Sequence, residues 1–301
     1  GTTVRRPRIL MAVHSPSLLL ARATCQLAAG GIETPAADAR MLLCEALGIQ
    51  PSQLIRVASV HADDEDRFNE MVDRRRAGEP AQFIVGHAWF RGLRVEVGPG
   101  VFIPRLETEL VAEQAVQEAQ RLVMASACPS VVDLCTGTGA IALAVASEVP
   151  GSRVSAVEMD EAALTWARRN LCDSGVEILA GDALRVPDDG RRFDVVVTNP
   201  PYLRRIDASS IPDEVTGHEP DLALFSGDDG LDLPRQLVGR AAELLTAGGL
   251  FIMEHDETQR DELMTAMATS HMWEQIEDHD DLAGRPRFVT ARRRCKDGCH
   301  G

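Results

Sequence analysis

Between residues 130 and 254 the chain alternates short β-branched runs with helical ones, and this alternation limits its fold more than any other feature. Strand-like runs at 130–134, 153–157, 176–179, 194–198 and 250–254 are separated by helical runs such as 140–148 and 161–171. Strands interleaved with helices in this way form βαβ units and an α/β, doubly wound, mostly parallel sheet. Upstream the texture differs. Helical runs at 18–29, 36–47 and 63–76 end at glycines, and Thr34 followed by Pro35 predicts an N-cap and first helical residue for the second run. A bundle of four or five short helices is expected there. Residues 82–103, QFIVGHAWFRGLRVEVGPGVFI, alternate aromatic and β-branched residues with polar ones and predict a hairpin or short meander. At 301 residues, two domains are expected.

The balance of 31 Lys and Arg against 46 Asp and Glu, a net charge of −15, argues against a protein whose affinity comes from neutralising nucleic-acid phosphates. Seven cysteines at irregular spacing form no disulfide framework and suit a reducing cytoplasm. Cys295, Cys299 and His300 could suggest a metal, but three ligands without a second cluster make a weak site, so a tail without metal is expected. No apolar run approaches the ~18 residues of a membrane span. The chain opens at Gly1, and residues 1–14 are expected to be a disordered or trimmed start.

The run at 130–134 leads directly into DLCTGTGAIALA, where Gly137, Gly139 and Ala142 satisfy G-x-G-x-x-G/A between a strand and a helix. Glu158 ends the next strand nineteen residues after Gly139, close to the ~20 expected of a carboxylate that binds a ribose. Loop and acid point to an adenosine-containing cofactor, either a dinucleotide or S-adenosylmethionine. For the latter, Asp133 is placed to receive an ammonium group or to hold the loop that does. Asp182, in Gly181-Asp182-Ala183 after the third strand, either meets an adenine amine or caps the next turn.

The fourth strand ends in DVVVTNPPYL. Proline cannot continue a sheet ladder and holds the preceding residue extended, so Asn199 sits stiffly at a strand end beside the sheet's switch point. Methylating a planar nitrogen requires the nitrogen to be held in line with the methyl donor and its hydrogens to be drawn on. The Asn199 side-chain carbonyl and the Pro200 carbonyl offer two acceptors, and Tyr202 a flat face.

These segments together resemble the protein-(glutamine) N-methyltransferase family that modifies peptide chain release factors. The likeness runs from about residue 36 to 292 and rests on RRRAGEP at 74–80, VFIPRLETELV at 101–111, the glycine loop at 133–144, TNPPYL at 198–203 and HEPDLALFSGDDGLD at 218–232. The Asn-Pro-Pro-Tyr motif is shared with nucleic-acid amine methyltransferases, whereas FIPRLETE and EPDLAL are far more specific.

The resemblance implies a seven-stranded Rossmann-like methyltransferase sheet. It implies domains at 15–80 (helical, docking the substrate), 81–104 (hairpin linker) and 105–294 (methyltransferase), with a tail at 295–301. It further implies transfer from S-adenosyl-L-methionine, leaving S-adenosyl-L-homocysteine, to the glutamine of the Gly-Gly-Gln motif in class I release factors, modulating translation termination. Carried onto this chain, Asp133, Cys135, Thr136, Gly137, Thr138, Gly139, Glu158, Asp182, Ala183 and Asn199 would bind the cofactor. Asn199, Pro200 and Tyr202 would be catalytic. Phe102, Arg105, Asn199, Pro200, Pro201 and Tyr202 would meet the substrate, with Glu107 and Glu109 supporting. A cytoplasmic monomer without direct nucleic-acid or membrane contact is expected. The chain departs from the family pattern at Cys135, often glycine, at Leu106, usually proline, and at Ala183, an aromatic in some members.

Three other readings stay open on the residues: an adenine-type amine methyltransferase, a nicotinamide dehydrogenase built on the Gly137 loop, and a non-catalytic binding protein. His218, Glu219 and Asp221 read as structural or docking residues, and the roles of Glu254 and His255 are open.

Overall fold

The computed structural model describes residues 14–125 and 127–295. The chain divides between Gly86 and His87 into two compact units. The expected start at 1–14 falls, but for His14, outside the described residues, as do Cys299 and His300; Cys295 is exposed. No helix among the described residues is long and apolar enough to cross a membrane.

The first unit is helical: α1 (Pro16–Ala29), α2 (Pro35–Leu47), a 3-10 turn at Pro51–Arg56, α3 (Ala62–Arg76) and α4 (Ala81–Val85). Leu19, Leu27, Leu42, Leu43 and Phe68 are fully buried in its core. Thr34 holds the N-cap position of α2, but its hydroxyl makes no cap bond and instead donates to Asp38 at 3.0 Å. Residues 81–85 are helical where the sequence suggested a hairpin: Pro80 takes the N-cap position and Gly86, at φ +77°, ends the helix in the left-handed region.

The second unit opens with an antiparallel hairpin, β1 (His87–Phe90) and β2 (Leu93–Glu96), and α5 (Thr108–Met124). Then follow β3 (Ser130–Leu134), α6 (Ala140–Glu148), β4 (Arg153–Glu158), α7 (Glu161–Leu171), β5 (Glu177–Ala180) and β6 (Phe193–Thr198). A 3-10 turn at Arg205–Ser210 and the short helices α8 (Asp213–Thr216) and α9 (Asp221–Leu224) lead to α10 (Asp232–Leu244). The chain closes with β7 (Leu245–Glu254), α11 (Arg260–Thr269), β8 (Trp273–Asp280) and β9 (Pro286–Arg293). The seven-stranded sheet has the order β5-β4-β3-β6-β7-β9-β8, with β9 antiparallel to both its neighbours and the other pairs parallel. Strand β7 starts at Leu245, five residues earlier than its apolar pattern predicts. Leu245 pairs with Phe193 across a register shift; Gly248 and Gly249 break the pattern, and Gly249 lets the strand pass close to the Asp194 carbonyl.

The chain runs outward from β3 through β4 to β5, then returns to the other side of β3 with β6. Leu134 pairs with Thr198, so the loops leaving the C-terminal ends of β3 and β6 emerge side by side at the switch point.

Helix α5 is tied to the far side of the sheet by Glu118, whose carboxylate takes Arg121 at 2.7 Å and Arg292 of β9 at 2.9 Å. Burial pushes this carboxyl up, but the bonds from the two arginines outweigh it and hold it at about 2. A depressed carboxyl pKa adds stability above its unfolded value, and that stability is lost as pH falls through the folded value. Urea titrations are expected to show wild-type protein losing stability between pH 4.5 and about 2 more steeply than Glu118→Gln, which lacks this contribution at every pH.

Candidate active site

The loop leaving β3 is held from two directions by buried carboxylates. Asp133 Oδ2 accepts from the Thr136 hydroxyl at 2.5 Å and from the Ala142 amide at 3.2 Å, which fixes the turn into α6. Its Oδ1 is buried with no partner among the described residues. Burial, opposed by those two bonds, raises this carboxyl to about 7. Glu158 reaches over from the end of β4: Oε2 accepts the Gly137 amide at 2.8 Å, and Oε1 accepts the Met159 and Asp160 amides at 2.8 and 2.9 Å. Burial raises its pKa, against the pull of those three amides.

The loop conformation explains its glycines. Cys135, Gly137 and Gly139 all have positive φ, at +58°, +56° and +84°. A Cβ on Gly137 would project into open space, whereas one on Gly139 would stand 2.9 Å from Leu171. Gly137 therefore leaves room over the loop, and Gly139 lets α6 and α7 pack. Cys135 adopts a backbone conformation that L side chains rarely take. Burial pushes its thiol far up, which makes it a poor nucleophile.

The Asn-Pro-Pro-Tyr segment is anchored at Thr198, Asn199 and Tyr202. The Thr198 hydroxyl donates to the Leu134 carbonyl at 2.7 Å, locking β6 to β3. Asn199 Nδ2 donates to Thr108 Oγ1 at 3.2 Å, leaving the side-chain carbonyl without a bond to any described residue. The Tyr202 hydroxyl donates to Glu254 Oε1 at 2.9 Å, and the Tyr202 carbonyl accepts from Gln259 Nε2 at 2.8 Å. Gln259, almost fully buried, also donates to the Asp229 carbonyl and accepts from the Asp256 amide, so its polar atoms are all used. Burial raises Glu254 to about 7, while burial and the neighbouring Glu254 charge push the Tyr202 hydroxyl well up.

The segments on either side of this motif are clasped together. Glu219, with only 4% of its surface exposed, accepts from the Arg105 guanidinium at 2.5 Å and the Ile103 amide at 3.3 Å. Arg105 lies over the Phe102 ring, 4.9 Å from its centre. Glu109 accepts the Arg91 amide, and Glu107 stands 3.7 Å from Arg285. His218 bonds the Glu214 carbonyl, and Asp221 pairs with Arg205 at 3.2 Å.

These groups surround a cavity of about 350 Å³. Of the residues singled out in the sequence, Cys135, Thr136, Gly137, Thr138 and Glu158 form one wall, and Asn199, Pro200, Pro201 and Tyr202 another; Phe102 and Arg105 also line it. Asp133, Gly139, Asp182 and Ala183 do not. Asp133 and Gly139 lie behind the loop. Asp182 caps the following turn, its Oδ1 accepting the Leu184 amide at 2.9 Å, and Ala183 is packed in the hydrophobic core. Thr108 lines the cavity, and Gln259 braces Tyr202; neither was among the sequence candidates. Thr108 lies inside FIPRLETE, which could have drawn attention to it, whereas Gln259 belongs to no motif.

An open sheet of this order, with a glycine loop and an Asn-Pro-Pro-Tyr strand end at its switch point, defines a Rossmann-like methyltransferase. Residues 19–86 match the PrmC N-terminal domain family, and residues 112–213 the methyltransferase small domain family. The release factor glutamine methyltransferase of Streptomyces coelicolor is 46% identical over 275 residues, covering 91% of this chain and 96% of that one. Its counterpart in Mycolicibacterium smegmatis is 42% identical, covering 90% and 95%. The 4-amino-L-phenylalanine/4-methylamino-L-phenylalanine methyltransferase of Streptomyces pristinaespiralis is 37% identical over 96% of both chains. The chain belongs to the release factor glutamine methyltransferase family.

The loop that supports Tyr202 offers a direct test of this architecture. A Cβ on Gly230, at φ +76°, would stand 2.1 Å from the Tyr202 carbonyl oxygen and 2.6 Å from Gln259 Nε2, whereas one on Gly248, also at φ +76°, would meet nothing within 4 Å. Gly248→Ala is expected to cost about 1–2 kcal/mol for the left-handed backbone alone. Gly230→Ala is expected to cost clearly more, because backbone must move. Denaturant midpoints of the two variants compare them, and equal losses would show that the close approach does not matter.

Proposed function

We propose that the chain transfers a methyl group from S-adenosylmethionine to the side-chain amide nitrogen of a glutamine in peptide chain release factors, the glutamine of the Gly-Gly-Gln motif in class I factors. One observation carries this reading: Asn199, which lines the cavity beside Pro200, is tethered through its amide nitrogen, so that its carbonyl oxygen is free to accept. That oxygen and the Pro200 carbonyl would suit a planar nitrogen that carries two hydrogens.

The residues fit the cofactor. Asp133, behind the loop, would hold it in shape for the cofactor through Thr136 and the Ala142 amide. The open space over Gly137 would admit the chain of the methionine moiety close to the loop amides, and Glu158 would accept from the ribose hydroxyls. Bound there, S-adenosylmethionine supplies an electrophilic methyl group on a positively charged sulfur. Asp182, whose Oδ1 caps a turn, and Ala183, packed in the core, would lie at the adenine end of the site without lining the cavity.

In this reading Asn199 and Pro200 hold the glutamine amide by its hydrogens and so aim the nitrogen, contributing orientation and polarisation without a strong base. The amide proton becomes acidic as the new bond forms and leaves late. The Tyr202 ring and Pro201 frame the planar amide, and Phe102 and Arg105 line the substrate's approach. The same acceptors would also serve an aromatic amine, the group named in the Streptomyces pristinaespiralis relative. The release-factor reading rests on the closer likeness to relatives named for that substrate. A cytoplasmic monomer completes the proposal.

Mass spectrometry of a class I release factor incubated with the protein and S-adenosylmethionine is expected to show one methyl on the Gly-Gly-Gln glutamine. Methylation of 4-amino-L-phenylalanine in a parallel reaction, without modification of the release factor, would overturn the reading. Asn199→Ala is expected to lower turnover on the order of 10²-fold or more, as loss of a preorganised transition-state contact does. Cofactor affinity, measured by titration calorimetry, should fall far less.

A further inference from the structure

The geometry points to Asn170 of α7 as a positioning residue that joins the two walls of the cavity. Its one side-chain amide holds the glycine loop to the segment that carries Phe102 and Arg105, and so sets where the methyl donor stands relative to the glutamine. This inference rests on the proposed function for the reaction it serves, but its structural part is testable without a release factor.

Asn170 Nδ2 donates to the Thr138 carbonyl at 2.9 Å and to the Glu96 carbonyl at 3.0 Å, and its Oδ1 accepts the Glu96 amide at 2.8 Å. Both amide hydrogens are used, and turning the amide over would set an oxygen against two carbonyls, so its orientation is fixed. Thr138 lies between Gly137 and Gly139, both at positive φ. The Ala142 amide, which a longer helix would give to the Thr138 carbonyl, goes to Asp133 instead. The donor for that carbonyl therefore comes from Asn170. The other side of the same peptide is held by the Gly139 amide, which donates to the Thr136 carbonyl at 2.9 Å.

Glu96 ends β2 and opens the stretch 97–103 that leads to the substrate wall. Helix α7 carries this stretch along one edge, since helical positions four apart share a face. Ala162, Trp166 and Asn170 form that edge. A Cβ on Gly98 would stand 2.5 Å from the Trp166 ring, and one on Gly100 would stand 3.0 Å from the Ala162 Cβ. The Trp166 indole donates to the Pro99 carbonyl at 3.3 Å. Val101 and Phe102 then line the cavity, and Glu219 holds the Ile103 amide.

The same helix starts in the cofactor wall. Met159, Asp160 and Ala163 line the cavity, and Asp160 caps α7 by accepting the Ala163 amide at 2.9 Å. One helix thus meets the donor's wall at its first turn and through Asn170, and the acceptor's wall along its edge. Neither Asn170 nor Trp166 lines the cavity, so what they govern is the spacing of its walls. In-line transfer is sensitive to that spacing, and a misplacement of about 1 Å can cost on the order of 10²-fold.

The experiment follows the backbone amide of Glu96 by NMR as S-adenosyl-L-homocysteine is added, and measures methyl transfer by Asn170→Asp, Gly98→Ala and, as a control, Thr165→Ala. Glu96 does not line the cavity, yet in the wild type its amide resonance is expected to shift as the ligand fills the site. Asn170→Asp, nearly the same size but without hydrogens for the two carbonyls, should lose that response. It should also lower kcat on the order of 10²-fold. KM for the release factor and affinity for S-adenosyl-L-homocysteine should change far less, because Asp133 and Glu158 still hold the loop and Glu219 still holds Ile103. Gly98→Ala, which pushes the chain off Trp166 and leaves Asn170 in place, should lower kcat in the same way. Thr165→Ala, exposed on the same helix and bonded to its Glu161 carbonyl, should leave kcat unchanged. A Glu96 amide indifferent to the ligand in the wild type, or an undiminished kcat in Asn170→Asp whatever its loss of stability, would overturn the inference. Wild-type protein that binds S-adenosyl-L-homocysteine but leaves the release factor unmethylated would instead defeat the proposed function, and the Glu96 response alone would then decide this inference.

Discussion

The parallel pairing of β3 with β6 is the constraint on which the site depends. Leu134 and Thr198 are register partners, and the Thr198 hydroxyl donates to the Leu134 carbonyl at the last residue of each strand. Everything that departs from those two ends, the loop from Cys135 to Gly139 and the segment from Asn199 to Tyr202, inherits its position from that pair. A shift of the pairing by one residue would exchange the faces to which the side chains point. Val195, Val196 and Val197 are all buried, so both faces of β6 are packed, and a one-residue shift would take the buried Thr198 hydroxyl away from the Leu134 carbonyl. The apolar run seats the strand in the sheet, and the polar bond at its end sets where the motif begins.

The site is then built from carboxylates that the protein has withdrawn from water. Asp133, Glu158, Glu219 and Glu254 are all less than a tenth exposed, and burial raises the pKa of each. Burying an acid without partners is costly, so each collects donors from a neighbouring segment: Thr136 and Ala142, the Gly137 amide, Arg105 and Ile103, Tyr202. In meeting its own need for donors, each acid ties one strand end or loop to another. The acceptors left over, Asp133 Oδ1 and Glu254 Oε2, are buried without a partner among the described residues.

Much of this was legible in the sequence where periodicity and turn chemistry agree. The strand at 130–134 and the helix at 140–148 have the bounds that their patterns predict. The glycine loop and the Asn-Pro-Pro-Tyr segment come together on one cavity, as the α/β topology requires. The failures have physical causes. The first half of β7 is hidden because Gly248 and Gly249 lack side chains and so carry no periodicity, although a close approach to the Asp194 carbonyl favours a small residue at 249. Asp182 follows a strand in the same way as Glu158 and leaves two readings open; its Oδ1 accepts a local turn amide, the capping role that is one of them. Whether an aspartate caps or points outward depends on the next turn, which composition does not reveal. Gln259 acts through a contact 57 residues away, and no local pattern records it.

The two segments most specific to the family, FIPRLETE and EPDLAL, are separated by more than a hundred residues and meet through Glu219. This contact is why they make sense as a pair. Glu219 is buried deeply enough that its pKa rises in spite of Arg105, so the carboxylate would be unfavourable without both the guanidinium and the Ile103 amide. Arg105 in turn is half-exposed and lies across Phe102 on the cavity wall. Replacing the glutamate alone would strand an arginine at the cavity, and replacing the arginine alone would strand a buried acid. Neither segment can change independently, whereas the Asn-Pro-Pro-Tyr segment needs only the strand that carries it and the acceptors it presents. A motif set by reaction chemistry can serve many substrates, but a buried ion pair that shapes one cavity wall belongs to the chains that keep both of its halves.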